Sequence, residues 1–215
     1  MDIKIINKTP DFLRTIWAAG RTCHSELAPQ QIFDLDESES RMLKLVGFLI
    51  KSKHLSTLEH CSVTYAVSGV SRTLLAQYSR HRIGVSLSVQ SQRYVSEGSQ
   101  KCDGGLFNFV TPPSIAADPA KAAAYREAME NAQKSYDALI AAGVPMEDAR
   151  FVLPGGICTN FVTTLNLRSL LDVYEKRVLV KGAQWEVRAM LSRMGELLVE
   201  REPWLAPFFS PKAEA

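Results

Sequence analysis

Residues Gln77 to Tyr94 read Gln-Tyr-Ser-Arg-His-Arg-Ile-Gly-Val-Ser-Leu-Ser-Val-Gln-Ser-Gln-Arg-Tyr. Three cationic or cationisable groups, Arg80, His81 and Arg82, stand side by side, and a hydroxyl-rich stretch runs on to Ser91 and Arg93. A core segment is not built this way, because arginine is almost never fully buried without a partner. The run also lacks carboxylates that would neutralise it locally. An anionic ligand is the natural counterpart: guanidinium forks match phosphate oxygens two at a time, and such charge-assisted bonds are stronger than neutral ones. A solvated basic turn is the plainer alternative for any short Arg-His-Arg taken alone.

The sequence on either side gives this run a structural setting. Upstream, Cys61 to Val67 is rich in Val, Thr and Tyr and predicts a strand. Ser71 to Ser79 predicts a helix with Ser71 at its N-cap, so that the basic run leaves the helix at its C-terminal end. Further back, residues 2–6 read as a short strand, and Phe12 to Arg21 and Asp36 to Lys51 as amphipathic helices. Downstream, Pro119 to Ala142 is the clearest helix, with Asp118 as its cap, Pro119 in its first turn and Gly143 at its end. A strand follows over Ile157 to Leu165, then helices over Ser169–Val178 and Ala183–Arg201. The segment Pro203 to Pro211 carries Trp204, Phe208 and Phe209, which are expected to tuck onto the surface or a partner. Strands and helices mix without regular βαβ alternation, which predicts an α+β domain. No repeat or low-complexity linker divides the chain, so residues 1–215 are expected to form a single domain.

Composition narrows the class. The 215 residues are 46% hydrophobic, enough for a substantial core, and the net charge is +2. That near balance argues against a dedicated nucleic-acid coat. No stretch approaches the roughly 20 apolar residues that span a bilayer, and the charged N-terminus does not read as a signal peptide. A cytoplasmic protein is expected. Cys23, Cys61, Cys102 and Cys158 are scattered. They form neither a zinc-type ligand set nor a disulfide framework, so each is expected to be a reduced, buried small hydrophobe and no metal is expected.

Two further clusters carry chemistry. In His54-Leu-Ser56-Thr-Leu-Glu59-His60, His and Glu could work as acid and base or hold a metal. A capping box between Ser56 and Glu59 is the favoured structural reading. The second cluster is Arg150, Asn166, Arg168, Asp172 and Arg177. The Arg168–Asp172 spacing predicts a salt bridge along one helix face, and Arg150, beside Phe-Val-Leu-Pro, is the arginine most in need of a partner.

Taken in order, Leu-Glu59-His60-Cys-Ser-Val-Thr, Arg80-His81-Arg82, Ser91-Gln92-Arg93-Tyr94, Ala149-Arg150-Phe-Val-Leu-Pro154, Asn166-Leu-Arg168-Ser-Leu and Ala183-Gln-Trp-Glu resemble the flavin-dependent thymidylate synthases over most of the chain. The resemblance implies a mixed, largely antiparallel sheet flanked by helices, assembled as a homotetramer whose active sites are shared between subunits. It implies reductive methylation of dUMP at C5, with FAD as cofactor and with NADPH and 5,10-methylenetetrahydrofolate as co-substrates. No protein cysteine is needed as nucleophile, and no nucleic acid or membrane partner is implied. By matching position, Gln77, Arg80, Ser91, Gln92, Arg93 and Arg150 are expected to bind the nucleotide, with Ser91 to Arg93 as its phosphate pocket. Arg177 is expected to face the uracil ring as the catalytic residue. Ser56, Glu59, Arg80, His81, Arg82, Ile83, Asn166 and Arg168 are expected to line the FAD site, with His54 near the nicotinamide or folate.

The chain also departs from the family pattern. Ile83 to Gln90 puts one residue more than usual between Arg-His-Arg and the serine, and Val89 stands near where an acidic or amide residue is common. Lys181-Gly182 replaces the histidine expected before Ala183, the segment from Arg177 is one residue longer, and Asp172 stands where Asn is common. Two alternatives follow from these departures: a related methylase or hydroxymethylase acting on UMP or dUMP, and a non-catalytic nucleotide-binding homologue.

Overall fold

Alternation of side chains decides the sheet. In β2 (Ser62–Ser71), Val63, Tyr65 and Val67 are buried, and Thr64 and Ala66 between them are half-buried. In β4 (Cys158–Asn166), Thr159, Phe161, Thr163 and Leu165 are buried, while Asn160 and Val162 face solvent. This is the period-two signature of a sheet with one face on the core. The computed structural model describes residues 1–210 and places four strands in the order β1-β2-β4-β3, with β1 at Asp2–Lys8 and β3 at Val85–Val89.

Hydrogen bonds give the register. The amide of Gln90 donates to Asn160 O at 2.9 Å, and that of Asn166 to Gly84 O at 3.1 Å, so β3 and β4 run antiparallel. Arg72 N to Ile157 O at 3.1 Å and Leu167 N to Cys61 O at 2.8 Å give the same sense for β2 and β4. The expected α+β class with an antiparallel sheet stands. Strand β3 was not among the expected elements, because its Val-Ser-Leu-Ser-Val alternation lay within a stretch read for its hydroxyls. Strand β2 runs to Ser71, four residues beyond its expected end at Val67.

Between the strands lie α1 (Phe12–Thr22), α2 (Pro29–Phe33), α3 (Glu39–Lys51), α4 (Arg72–Tyr78), α5 (Pro113–Ala116), α6 (Pro119–Ala141) and α7 (Met146–Ala149), and after β4 come α8 (Leu167–Tyr174) and α9 (Trp185–Val199). Caps set their starts. Ser71 Oγ accepts Leu74 N at 2.9 Å to open α4, as its sequence predicts. Asp118 Oδ1 accepts Ala120 N at 2.9 Å and Lys121 N at 3.3 Å to open α6, and Gly143, at φ 85°, follows its end. Helix α9 begins at Trp185 rather than Ala183 because Gln184 caps it, its Oε1 accepting Val187 N at 2.8 Å. The helix expected over Ser169–Val178 starts at Leu167 and ends as α8 at Tyr174; a π turn, Glu175–Leu179, continues it.

The chain forms two compact units, interleaved in sequence. The first comprises Met1–Asp2, Val67–Arg80 and Ser88–Phe161. Its core packs Phe107, Met129 and Ile157 with Phe109 and Tyr125, and Tyr78 stacks on Phe161 at 5.6 Å between ring centres. The second comprises Ile3–Ala66, His81–Leu87 and the chain from Val162. Phe12, Ile16, Trp17, Leu58, Leu165, Met190 and Leu198 are buried there, and Tyr65 OH donates to Met194 O at 3.0 Å. Lys8 and Glu202 form a mostly buried ion pair at 2.6 Å in this unit, and Trp204 Nε1 donates to the same carboxylate at 2.9 Å. The C-terminal segment is anchored, not merely laid on the surface. Leu205 and Phe209 are buried, and Tyr174 OH donates to Phe209 O at 2.7 Å. Pro211 lies outside the described residues.

The cysteines divide by environment. Cys61 is buried, Cys102 and Cys158 are half-buried, and Cys23 is exposed, which corrects the expectation that all four are buried. Cys23 sits at the C-cap of α1, past the last apolar residue of its helix face. Among the described residues, no helix is long and apolar enough to cross a membrane, and no three His, Cys, Asp or Glu side chains gather as a metal site.

Candidate active site

Most residues expected to bind the nucleotide lie in the first unit: Gln77, Arg80, Ser91, Gln92, Arg93 and Arg150. Helix α4 carries Gln77 and stops at Tyr78, which puts Arg80 on the surface just beyond its end. After β3 the chain makes a hydroxyl-stabilised turn. Ser91 Oγ accepts the Arg93 amide at 3.2 Å, and Ser91 O accepts the amides of Tyr94 at 3.1 Å and Val95 at 2.9 Å. Arg93 projects outward, and its Nε and Nη2 meet Glu147 Oε2 at 2.8 and 2.7 Å. Arg150 Nε donates to Glu147 O at 2.9 Å. The partner Arg150 needs is therefore a backbone carbonyl, and Glu147 gathers both guanidinium groups. Gln92 behaves differently: it is 6% exposed, so its side chain turns inward and only its backbone belongs to the turn.

The expected flavin residues Ser56, Glu59, His81, Arg82, Ile83, Asn166 and Arg168 lie in the second unit, together with Arg177. Glu59 Oε1 accepts Arg168 Nη1 in a short charge-assisted bond. This overturns two expectations at once. The Ser56–Glu59 capping box does not form, because residues Leu55–His60 make a 3₁₀ turn with no side-chain cap and Glu59 reaches across to Arg168. Arg168 likewise makes no bridge to Asp172, which instead pairs with Lys176 at 2.8 Å. Ser56 stands exposed on the same turn as Glu59, and so does His54 just before it. Asn166 caps α8, its Oδ1 accepting Ser169 N at 2.8 Å.

Arg177 lies within the π turn after α8, and its Nε donates to His81 Nε2 at 2.9 Å. A donor onto Nε2 requires an imidazole whose proton sits on Nδ1. Single π turns admit an extra residue into a helix and are frequent at functional positions.

Four residues that organise these surroundings were passed over in the sequence. Gly84, at φ 63°, approaches so closely that a Cβ there would lie 2.4 Å from Asn166 Nδ2 and 2.2 Å from Ser169 Oγ. Its place directly after Arg-His-Arg-Ile was the available signal. Glu147, Arg72 and Glu97 carried no local signal, because Arg93 with Glu147, Arg72 with Gln90 and Gln133 with Glu97 join residues 54, 18 and 36 positions apart.

The second unit suits an anionic, ring-bearing cofactor. Arg82 is exposed and makes no ion pair among the described residues. Ile83 beside it offers an apolar surface that is 90% exposed. Positive charge without a carboxylate partner is what a diphosphate-bearing flavin needs of its site.

Comparison with known proteins identifies the family. Residues 4–204 match the family model described as Thymidylate synthase complementing protein. A protein of Haloarcula marismortui named flavin-dependent thymidylate synthase is 36% identical, over 93% of this chain and 91% of its own length. One of Clostridium tetani with the same name is 33% identical, over 97% of this chain and 86% of its own. Among solved structures, the UMP/dUMP methylase PolB from Streptomyces cacaoi bound with 5-Br dUMP has a TM-score of 0.79 at 20% identity, covering 97% of this chain and 94% of that one. Thymidylate Synthase X from Helicobacter pylori with FAD and dUMP has a TM-score of 0.73 at 22% identity, covering 98% and 99%. The two structures share the fold. With a family match that runs almost from end to end and relatives above 30% identity over nearly the whole length, this chain belongs to the thymidylate synthase complementing protein family, that of the flavin-dependent thymidylate synthases.

Proposed function

We propose that this protein is a flavin-dependent thymidylate synthase that converts dUMP to dTMP, taking the carbon from 5,10-methylenetetrahydrofolate and the reducing equivalents from NADPH through FAD. The observation that carries this reading is the Ser91–Arg93 turn, with Arg93 and Arg150 both held on Glu147, in a chain of this family. A hydroxyl, main-chain donors and two guanidinium groups make a phosphate site. The Arg93–Glu147 pair is half-exposed, and such pairs contribute only about 0–1 kcal/mol, so an incoming dianionic phosphate displaces Glu147 at small cost.

Arg80, His81, Arg82, Ile83, Ser56, Glu59, Asn166 and Arg168 hold the FAD, which when bound supplies the reducing equivalents. Arg177 binds the uracil ring through its carbonyl and N3. There it stabilises the negative charge that develops as the ring attacks carbon, an electrostatic role performed by a preorganised donor. His81, accepting from Arg177 Nε, holds that guanidinium in place before substrate arrives. Gln77 and Gln92 complete the nucleotide site, Gln92 through its backbone.

We also assign a homotetramer with shared sites. Ile83, Tyr94 and Phe151 are 90%, 77% and 82% exposed, and each directly follows a site arginine in sequence. Large apolar residues placed so consistently are suited to be covered by another subunit. A cytoplasmic location fits this nucleotide chemistry.

The test is tritium release from C5-labelled dUMP in the presence of NADPH and methylenetetrahydrofolate, with a visible spectrum of the purified chain before and after dUMP is added. A yellow protein that releases tritium is expected. A colourless protein after FAD reconstitution, inert in the assay, would refute the reading. Parallel turnover of UMP distinguishes the related methylase.

A further inference from the structure

Charge withdrawn from water is unfavourable unless it is paired or hydrogen-bonded, and the first unit holds two half-buried charged residues, Arg72 and Glu97, to which the proposed chemistry gives no part. Arg72, the first residue of α4, is half-buried. Its Nη2 donates to the main-chain carbonyl of Gln90 at 3.1 Å, and its Nε is buried without a hydrogen-bond partner. Burial lowers the Arg72 pKa and the neighbouring Arg150 lowers it further, while Glu97 acts against both. Glu97 is half-buried too; burial raises its carboxyl, and the Gln92 amide and then Arg72 pull it back down. The Gln92 amide thus lies against Glu97, although its Nε2 reaches no partner in ordinary hydrogen-bond geometry. Helix α6 secures the cluster from behind: Gln133, 3% exposed, donates from Nε2 to Glu97 O at 2.9 Å. Gln90 is fixed on its other side, its amide donating to Asn160 O at 2.9 Å and its Oε1 accepting Asn160 Nδ2 at 2.7 Å.

Both neighbours of Ser91 are therefore anchored, Gln90 by Arg72 and Asn160, Gln92 by burial against Glu97. A half-buried arginine kept only for stability would be a poor choice here, since an apolar side chain fills such a position without the cost of desolvating a charge. A guanidinium supplies what an apolar group cannot, a hydrogen bond of fixed direction to Gln90 O, and such bonds hold a binding turn to the tolerance that ligand recognition needs. We infer that Arg72, backed by Glu97 and Gln92, is a positioning residue that sets the Ser91–Arg93 turn and thereby the affinity for the substrate's phosphate. The inference rests on the proposed function, in that the turn receives the phosphate of dUMP.

The experiment uses full-length, FAD-loaded protein and the variants Arg72→Met, Arg72→Lys and Glu97→Gln. Binding of dUMP and of deoxyuridine, which lacks the phosphate, is measured alongside KM, kcat, FAD content and thermal midpoint. For Arg72→Met, KM for dUMP is expected to rise at least tenfold, with kcat at saturation within threefold, FAD content unchanged and deoxyuridine binding unchanged. Arg72→Lys, which keeps the charge and one donor, should recover part of the loss, and Glu97→Gln should raise KM severalfold. Wild-type dUMP affinity in Arg72→Met overturns the inference, as does an equal loss of dUMP and deoxyuridine, the mark of a merely structural role. Should Arg72→Met fail to fold, wild-type KM in both Arg72→Lys and Glu97→Gln overturns it. A wild-type protein that takes up FAD but binds no dUMP overturns the proposed function and the inference with it. Normal dUMP turnover by all three variants removes the inference alone.

Discussion

At the residue scale, the contact between Arg177 and His81 joins a residue expected to face the substrate ring with one expected to meet the flavin. Arginine has no acceptor, so the imidazole must offer a lone pair, and the pair holds only while His81 is neutral at Nε2. Replacing Arg177 by Ala removes the proposed charge stabiliser. Loss of a single preorganised donor of this kind lowers kcat about 10²–10³-fold, and steady-state kinetics with an unchanged flavin spectrum is the expected result. Cys61 gives a second prediction. Burial, reinforced by Glu202, pushes its thiol up to about 12 from an ordinary value near 9. The folded state holds that proton more tightly than the unfolded chain does. The associated stability is fully present below pH 9 and falls as pH rises from about 9 toward 12. Urea midpoints at pH 8 and pH 10.5 should converge for Cys61→Ala relative to wild type. In the native protein, exposed Cys23 should react with a thiol reagent while Cys61 does not.

At the element scale, the critical junction is the one where β3 begins against the end of β4. Gly84 O accepts the Asn166 amide at 3.1 Å, and Asn166 in turn caps α8. A methyl group at position 84 meets both a left-handed φ of 63° and atoms within 2.4 Å. The expected outcome for Gly84→Ala is a loss of about 1–3 kcal/mol from the strained backbone together with weaker FAD retention, read from urea denaturation and the flavin-to-protein absorbance ratio. Elements with strong local signals were legible beforehand. Helix α6 has Asp118, Pro119 and Gly143 at its boundaries, and α4 has Ser71, so short-range capping alone places their ends. Strand β3 was not legible, because five residues of alternating Val, Ser and Leu do not form a strand by themselves; β4 supplies the partner. The π turn was equally hidden, since nothing in Glu-Lys-Arg-Val-Leu distinguishes it from another turn of α-helix.

At the scale of the whole molecule, the proposed tetramer predicts the solution mass: light scattering should give four chains. Phe151 is 82% exposed and directly follows Arg150, so the proposed assembly would cover it. Phe151→Asp should shift the mass toward smaller species and reduce turnover, with the far-ultraviolet spectrum unchanged. A wild-type mass of one chain would sink the assembly.

The family was readable from the amino-acid sequence. The Arg-His-Arg run and the Ser91–Arg93 stretch suggest anion recognition by their composition, and these motifs, taken in order with those around Arg150, Asn166 and Arg168, carry the family resemblance that the family match bears out. Short-range forces, caps and alternation likewise determined where most helices and strands lie. Only the tertiary structure decided which groups meet: Glu59 with Arg168 rather than Ser56, Arg93 and Arg150 on Glu147, Arg177 on His81, and Gln92 turned inward to Glu97. The reason is physical. Charged side chains take whichever partner the packed backbone brings within about 3 Å; for Glu59, Arg93 and Arg177 that partner lies tens of positions away in the chain, and for Arg150 it is a nearby main-chain carbonyl rather than a charge.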